Sequence, residues 1–423
     1  MQITLHNPGR KIVFYGACLL VCTTYLSFCC REFLAIYFSE KPQLESLQRA
    51  LSLEPSNAAY WHLLGRYQLF VLQEPEAALP LLKSAVALNP YRAGYWLDLS
   101  TAYQLLGKKN EQNSALKKAL IADPLTPEIA WQAANLYWVQ GKPEQALEQF
   151  RIVAENDPYL APAAIERSWQ IRPNADVLLR TAIPRRADAY SLFLEFLIAK
   201  NESSSAAQVW EQMARLQAAV GTRYVFEYIR YLIGQKQIEQ ASRVWSDAAG
   251  LANLAAYQPS PMNLLVNGDF SLPILNGGFD WTYESVPGIS LALDPAESHS
   301  GHRSLSIIFD GAGMQDAGIR QLVPVEPNTT YEFSAYFKSD NLEGAGGPVL
   351  VAQDSFTRAS YFTSDELKGA DFWKQVGGRF TTGPDTQLLL IHVAHVPAAN
   401  AIRGKLWIDG LRLAREPGRE GAE

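Results

Sequence analysis

Four prolines keep a regular beat through the first part of the chain. Pro55, Pro90, Pro124 and Pro158 stand in "LEPSN", "LNPYR", "ADPLT" and "NDPYL", at spacings of 35, 34 and 34 residues. Between them run Ala, Leu, Gln and Glu at helical intervals. Proline closes a helix because it lacks the N–H and its ring clashes with the preceding turn. A period near 34 leaves room for two short helices and two turns. One such hairpin cannot bury its apolar side alone, so neighbours must stack into an α-solenoid. This feature commits about Leu44–Pro158 to a row of helix pairs.

Inside each unit the recurring positions agree. Trp96, Leu99, Tyr103, Gly107, Ala119 and Pro124 mark one unit; Tyr137, Gly141, Ala146, Phe150 and Pro158 mark the next. Trp61, Leu64, Gly65, Ala78 and Ala85 mark the unit before Pro90, which has one extra residue in its turn. The pattern resembles the tetratricopeptide repeat, with Ser100 and Gln112 where that repeat has Gly and Ala. "LESLQRALSLEP" looks like the second helix of a truncated first unit. Beyond Pro158 the match decays, but Ala187–Leu216 and Thr222–Leu251 each read as a degenerate helix pair, with turns at "KNESS" and "IGQKQ". The resemblance implies a concave groove lined by the first helix of each unit. In the unit after Pro124 it assigns Glu128, Trp131, Asn135 and Trp138 to that groove, a set suited to a peptide or strand from a protein partner. Trp131 also suits the core, because Ala130 stands where an aromatic is expected.

The N-terminus is apolar. Ile12–Cys30 carries no charge between Arg10–Lys11 and Arg31. Its length of about nineteen residues is near the ~20 that span a bilayer. No small-residue cleavage site follows, and Cys18 comes too early for a lipoprotein signal, so the stretch reads as an uncleaved transmembrane helix rather than a signal peptide. A short tail before a first span stays cytoplasmic, which puts the bulk of the chain outside, at a bacterial inner membrane.

After Pro259 the patterning changes from helix to strand. "TYEFSAYFK" alternates Tyr331, Phe333, Ala335 and Phe337 against polar residues, and Leu305, Ile307 and Phe309 share a face in "RSLSIIFD". Eight to ten short strands separated by Gly, Pro, Asn and Asp indicate a jelly-roll β-sandwich. The opening "NLLVNGDFS", the aromatic turn "GGFDW", "SGHRSL", "FWKQVGGRFTT" and the closing "LWIDGLRL" occur in order. Together they resemble carbohydrate-binding modules of the family 4 and 9 type, which are galactose-binding-like jelly rolls. The resemblance covers about Asn263–Leu413 and implies sugar binding through aromatic faces and polar side chains. The candidates are Trp281, Tyr283, Tyr361, Phe362 and Trp373, with Gln353, Asp354 and Arg358 as polar partners. Trp281 follows a double glycine, where a turn would expose it. Trp407 lies on the opposite face from Leu406 and Ile408. The family often holds a structural calcium by a carboxylate of the opening motif and an Asp of the last strand. Asp409 matches the latter, but Ser271 stands in place of the former. No other cofactor is implied.

Several classes are excluded. The net charge of -6 and scattered basic residues argue against nucleic acid. All four cysteines lie in the apolar stretch, so no disulfide framework holds the rest. The six histidines make no site pattern; His392 and His395, three apart in a strand, point to opposite faces. No phosphate loop or nucleophile elbow occurs. The sequence therefore divides into a cytoplasmic tail and anchor (1–39), helical repeats (40–257), a carbohydrate-binding-module-like sandwich (258–415) and a disordered tail (416–423). It reads as a non-catalytic membrane adaptor that binds a protein in its groove and glycan or a second protein on its sandwich. The alternatives are a structural assembly subunit without sugar binding, or an accessory of a polysaccharide-degrading complex.

Overall fold

The computed structural model of the protein describes residues 8–217 and 219–416. The first seven residues, and all of the expected C-terminal tail except Glu416, lie outside the described residues. The chain forms two compact units that divide after Arg185.

The first unit is all helix: α1 (Pro8–Ser39), α2 (Leu44–Leu53), α3 (Ala58–Arg66), α4 (Pro75–Leu88), α5 (Ala93–Leu105), α6 (Lys109–Ala122), α7 (Pro127–Val139), α8 (Pro143–Asn156), α9 (Ala161–Ile171) and α10 (Ala175–Thr181). Successive helices pack as hairpins, as the proline period requires. Trp61 and Trp96 each donate their indole N–H to the carbonyl of the proline six residues back, at 2.7 Å in both units. Gly107 and Gly141 end their helices with φ of 68° and 71°, a conformation that costs glycine little. The extra residue before Pro90 is absorbed by a π-helical turn over Tyr67–Val71, the usual way a helix accommodates an insertion. Gly65 lets α3 approach α4; a Cβ there would lie 2.8 Å from Leu82. The Ser100 hydroxyl, at one departure from the repeat pattern, donates to the backbone carbonyl of Gln112. Helix α1 is long and apolar enough to cross a membrane.

The second unit opens with two hairpins, α11 (Ala187–Ala199) with α12 (Ser203–Leu216) and α13 (Thr222–Gly234) with α14 (Ile238–Leu251). Among the described residues its ten strands are β1 (Thr282–Tyr283), β2 (Ile289–Asp294), β3 (Ser304–Gly313), β4 (Asp316–Pro324), β5 (Thr330–Gly344), β6 (Gly347–Asp354), β7 (Ser360–Thr363), β8 (Lys374–Thr381), β9 (Leu388–Val396) and β10 (Ala401–Arg415). They make two antiparallel sheets, ordered β1-β4-β9-β6-β7 and β2-β3-β10-β5-β8. The expected alternations hold: Tyr331, Phe333, Ala335 and Phe337 of β5 and Leu305, Ile307 and Phe309 of β3 all enter one core between the sheets.

The opening motif is a clamp on the last strand. The Asn263 side chain accepts the Leu265 and Leu413 N–H groups and donates to the Leu411 carbonyl. Gly268 passes so close that a Cβ would lie 2.2 Å from the Leu411 oxygen, and Phe270 is fully buried in the core.

Candidate functional site

In the first unit, α3, α5 and α7 line a concave hollow of about 500 Å³. Its floor is an ion cluster. Asp98 of α5 is buried and meets His62 Nε2 at 2.7 Å and Arg66 Nε at 3.3 Å, both from α3. The imidazole also packs on Tyr95, with ring centres 4.2 Å apart. Arg66 lies over the Phe70 ring at 5.7 Å and leaves about half of its side chain in solvent. Burying Asp98 is tolerable only because both partners face it. Trp131 and Asn135 of α7 close the far wall. Trp131 serves both roles open to it: it lines the hollow and sets its edge on Phe150 of the core, 5.3 Å between centres.

Glu128 and Trp138 stand outside this hollow. Glu128 is exposed, and Trp138 lies beneath the Arg167 guanidinium at 5.8 Å. The residues that sequence reasoning missed were within its reach. Two repeat periods, of 34 and 35 residues, lead back from Trp131 and Asn135 to His62 and Arg66; one 34-residue period leads from Asn135 and Trp138 to Thr101 and Gln104, and all four line the hollow. Asp98 follows the position one period before Trp131, which the buried Leu97 occupies. An exposed cation on an aromatic ring, a half-buried indole and side-chain amides suit an extended polypeptide, whose backbone the amides can bond and whose side chains the rings can seat.

On the sandwich the glycan candidates do not form one site. Trp281 is 2% exposed, contrary to the exposure expected after the double glycine. Its indole donates to the Asn267 carbonyl and its ring packs 5.2 Å from Phe270. Gly277 and Gly278 do not form an exposing turn. They bring the chain against the helices, where a Cβ would lie 2.3 Å from Phe226 and 2.1 Å from Trp245. Tyr283 is half-exposed on a mainly apolar hollow of about 290 Å³ with Ile274, Leu291 and Leu293. Asp354 and Tyr361 line a different hollow, of about 410 Å³, with Phe356 and Thr386. Asp354 itself is buried and caps its turn by accepting the Phe356 and Thr357 N–H groups. Burial works against its charge, but hydrogen bonds from Thr357, Thr386 and Phe356 outweigh burial and hold the carboxyl below its ordinary range. Gln353 and Arg358 lie outside that hollow. Phe362 packs inward against Phe333, 5.2 Å between centres. Trp373 meets the edge of His299, which stacks on Tyr336 at 3.5 Å. Trp407 faces away from the core as expected but is buried under Lys338 and Lys405. Its indole and Lys405 bond Asp294 and hold that carboxyl down at about 2.

Asp409 is fully buried, and its carboxylate accepts four donors: the His299, Ser300 and Gly410 N–H groups and the Ser300 hydroxyl, at 2.6–3.0 Å. A calcium ion binds through oxygen lone pairs, so an ion here would have to displace these hydrogens. Ser271 turns its hydroxyl to Asp269 at 2.8 Å. Among the described residues, no three His, Cys, Asp or Glu come together in a group that could hold a metal.

Residues 262–399 match the family described as carbohydrate binding domain. The chain is thus built of helical hairpins followed by a β-sandwich, and it is the sandwich that the carbohydrate-binding family match covers. Among solved structures it is similar to one described as "CBM4 structure and function", at 15% identity and a TM-score of 0.27 over 36% of this chain and 99% of that one. It is also similar to a thermophilic tetratricopeptide-repeat protein of Thermus thermophilus, at 26% identity and a TM-score of 0.28 over 30% and 70% of the two chains. A third likeness is to MamA, at 17% identity and a TM-score of 0.24 over 40% and 83%. No curated protein matches the chain significantly.

Proposed function

We propose that the protein is a non-catalytic adaptor anchored in a bacterial inner membrane by α1, with its bulk outside the cytoplasm. Its repeat groove holds an extended segment of a protein partner, and its sandwich binds glycan, in a system that handles surface polysaccharide. The observation that carries this reading is the groove: three successive units turn His62, Arg66, Asp98 and Trp131 onto one hollow. The match of the sandwich to a carbohydrate-binding family supports the second half. Both parts resemble families that bind rather than react, and the reading assigns no reaction to the chain.

The test places a photo-crosslinking benzoylphenylalanine at Gln132, an exposed residue of the groove wall, in cells that make the full chain. A light-dependent adduct that Arg66→Ala abolishes is expected. An adduct indifferent to Arg66→Ala, or none, sinks the groove reading.

A second reading has its own support. Trp281 is spent on the core, α14 packs against β4, and Phe226 and Trp245 press on Gly277 and Gly278. A sandwich joined so closely to helices suits a structural subunit of an assembly that binds no sugar.

A further inference from the structure

The end of α1 is not a linker. The helix has 32 residues, about 48 Å at 1.5 Å per residue. A hydrocarbon core of about 30 Å takes up roughly twenty of them, and the uncharged Ile12–Cys30 fills that need. Beyond Arg31, Ala35 is fully buried and clusters with Ala50 of α2 and Tyr60 of α3. Phe38 joins the cluster and carries the Arg49 guanidinium over its ring at 5.7 Å. The last turns of the apolar helix therefore act as the first helix of the solenoid, the one absent from the truncated first unit.

That fusion fixes a direction. With the π-helical turn Tyr67–Val71 counted as the end of α3, every connection from α1 to α9 is three or four residues long, so each helix reverses on the one before. Helix α1 leaves the bilayer, α2 returns toward it, α3 leaves again, and so on. The turns that end each unit, 54–57, 89–92, 123–126 and 157–160, thus all fall on the bilayer side. Helix α2 returns by ten residues, about 15 Å, against about 13 Å for the segment Arg31–Ser39. The first of these turns therefore reaches the level of the lipid headgroups.

The following three turns carry Tyr91, Leu125 and Tyr159, thirty-four residues apart and 84%, 63% and 95% exposed. Each turn is braced. Asn89, Asp123 and Asp157 accept the N–H of Tyr91, Leu125 and Tyr159 respectively, and the two aspartates accept one more N–H each. Ile121, beside Leu125, is also exposed. Tyrosine is enriched where membrane meets water, because its ring is apolar and its tip polar. The opposite edge also exposes Val71, Leu72, Leu105 and Val139, but two of its turns carry Lys108 and Lys142, and Val139 belongs to the groove.

We propose that the solenoid lies along the membrane, with Tyr91, Leu125 and Tyr159 forming a ridge that seats at the lipid headgroups. The proposal rests on the reading of α1 as a membrane anchor. It also keeps the groove within reach of the bilayer, since Tyr60, His62 and Arg66 share α3.

The test uses the full chain with Cys18, Cys22, Cys29 and Cys30 changed to serine. Single cysteines replace Leu125 or Tyr159 on the ridge and Lys108 on the far edge, and each carries a polarity-sensitive fluorophore. The protein is reconstituted into phosphatidylethanolamine–phosphatidylglycerol vesicles that contain a headgroup spin-labelled lipid. The vesicles should float with the protein, and the ridge labels should be quenched about twofold more than the Lys108 label, as groups at the interface are. Failure to float overturns the anchor and this proposal together. Flotation with equal quenching at ridge and far edge overturns the proposal alone. So does a ridge label that is blue-shifted but beyond reach of the quencher, which would mean that a protein covers the ridge.

Discussion

Replacing Asp280 by asparagine should change how the stability of the second unit depends on pH. Asp280 is fully buried beside Trp281, and one carboxylate oxygen accepts the Leu275 N–H at 2.7 Å. Burial raises its pKa from 3.8 to about 6, with hydrogen bonds from the Leu275 and Trp281 backbone and the Asn267 side chain only partly opposing it. A carboxyl whose folded pKa lies above its unfolded value favours the fold while protonated. Its contribution is complete below about pH 4 and is lost as pH rises through 6. A shift of about two units, at 1.36 kcal/mol each, gives roughly 3 kcal/mol between those limits. Asn keeps an acceptor for Leu275 and carries no charge. The stability of Asp280→Asn relative to wild type should therefore rise by about 2–3 kcal/mol between pH 4 and pH 7.5, whatever fixed offset the new amide adds. Urea unfolding of the full chain in micelles, followed by tryptophan emission at each pH, measures this. Parallel pH curves for the two proteins would refute the argument.

Two further outcomes follow from the sandwich. Trp281→Ala should cost about 3–5 kcal/mol, as truncation of a buried tryptophan does; a loss below about 1 kcal/mol in urea unfolding would place this ring at the surface after all. Chelation of divalent ions should leave the melting temperature unchanged, because the Asp409 acceptors are filled by His299, Ser300 and Gly410; a melting temperature that rises with added calcium would contradict this.

What the sequence made legible depends on how far each signal had to reach. The helix pairs could be read because each unit repeats the same positions, so a single proline period carries the whole architecture. Strand faces could be read for β3 and β5 because alternation is local. The groove was legible in kind, and two of the four residues assigned from a single unit line the hollow; the same positions in two earlier units contribute as well. The ion cluster was not legible, since Asp98 takes over from Leu97, which points into the core. The burial of Trp281 was hidden because the role of Gly277 and Gly278 depends on Phe226 and Trp245, which belong to other helices. Tyr91, Leu125 and Tyr159 each follow a proline of the beat, but proposing them as a membrane ridge also needed the packing of Ala35 against α2 and α3.

The chain is proposed to bind partners rather than transform them, with its sandwich as one of the binding parts. Affinity electrophoresis of the full chain in micelles, through gels cast with a panel of soluble bacterial polysaccharides, tests that claim most directly. Retardation by at least one polysaccharide is expected, with no change in the length of the polysaccharide after incubation. Unretarded migration through every gel would contradict glycan binding and leave the structural subunit, and shortened polysaccharide would contradict the claim that the chain performs no reaction.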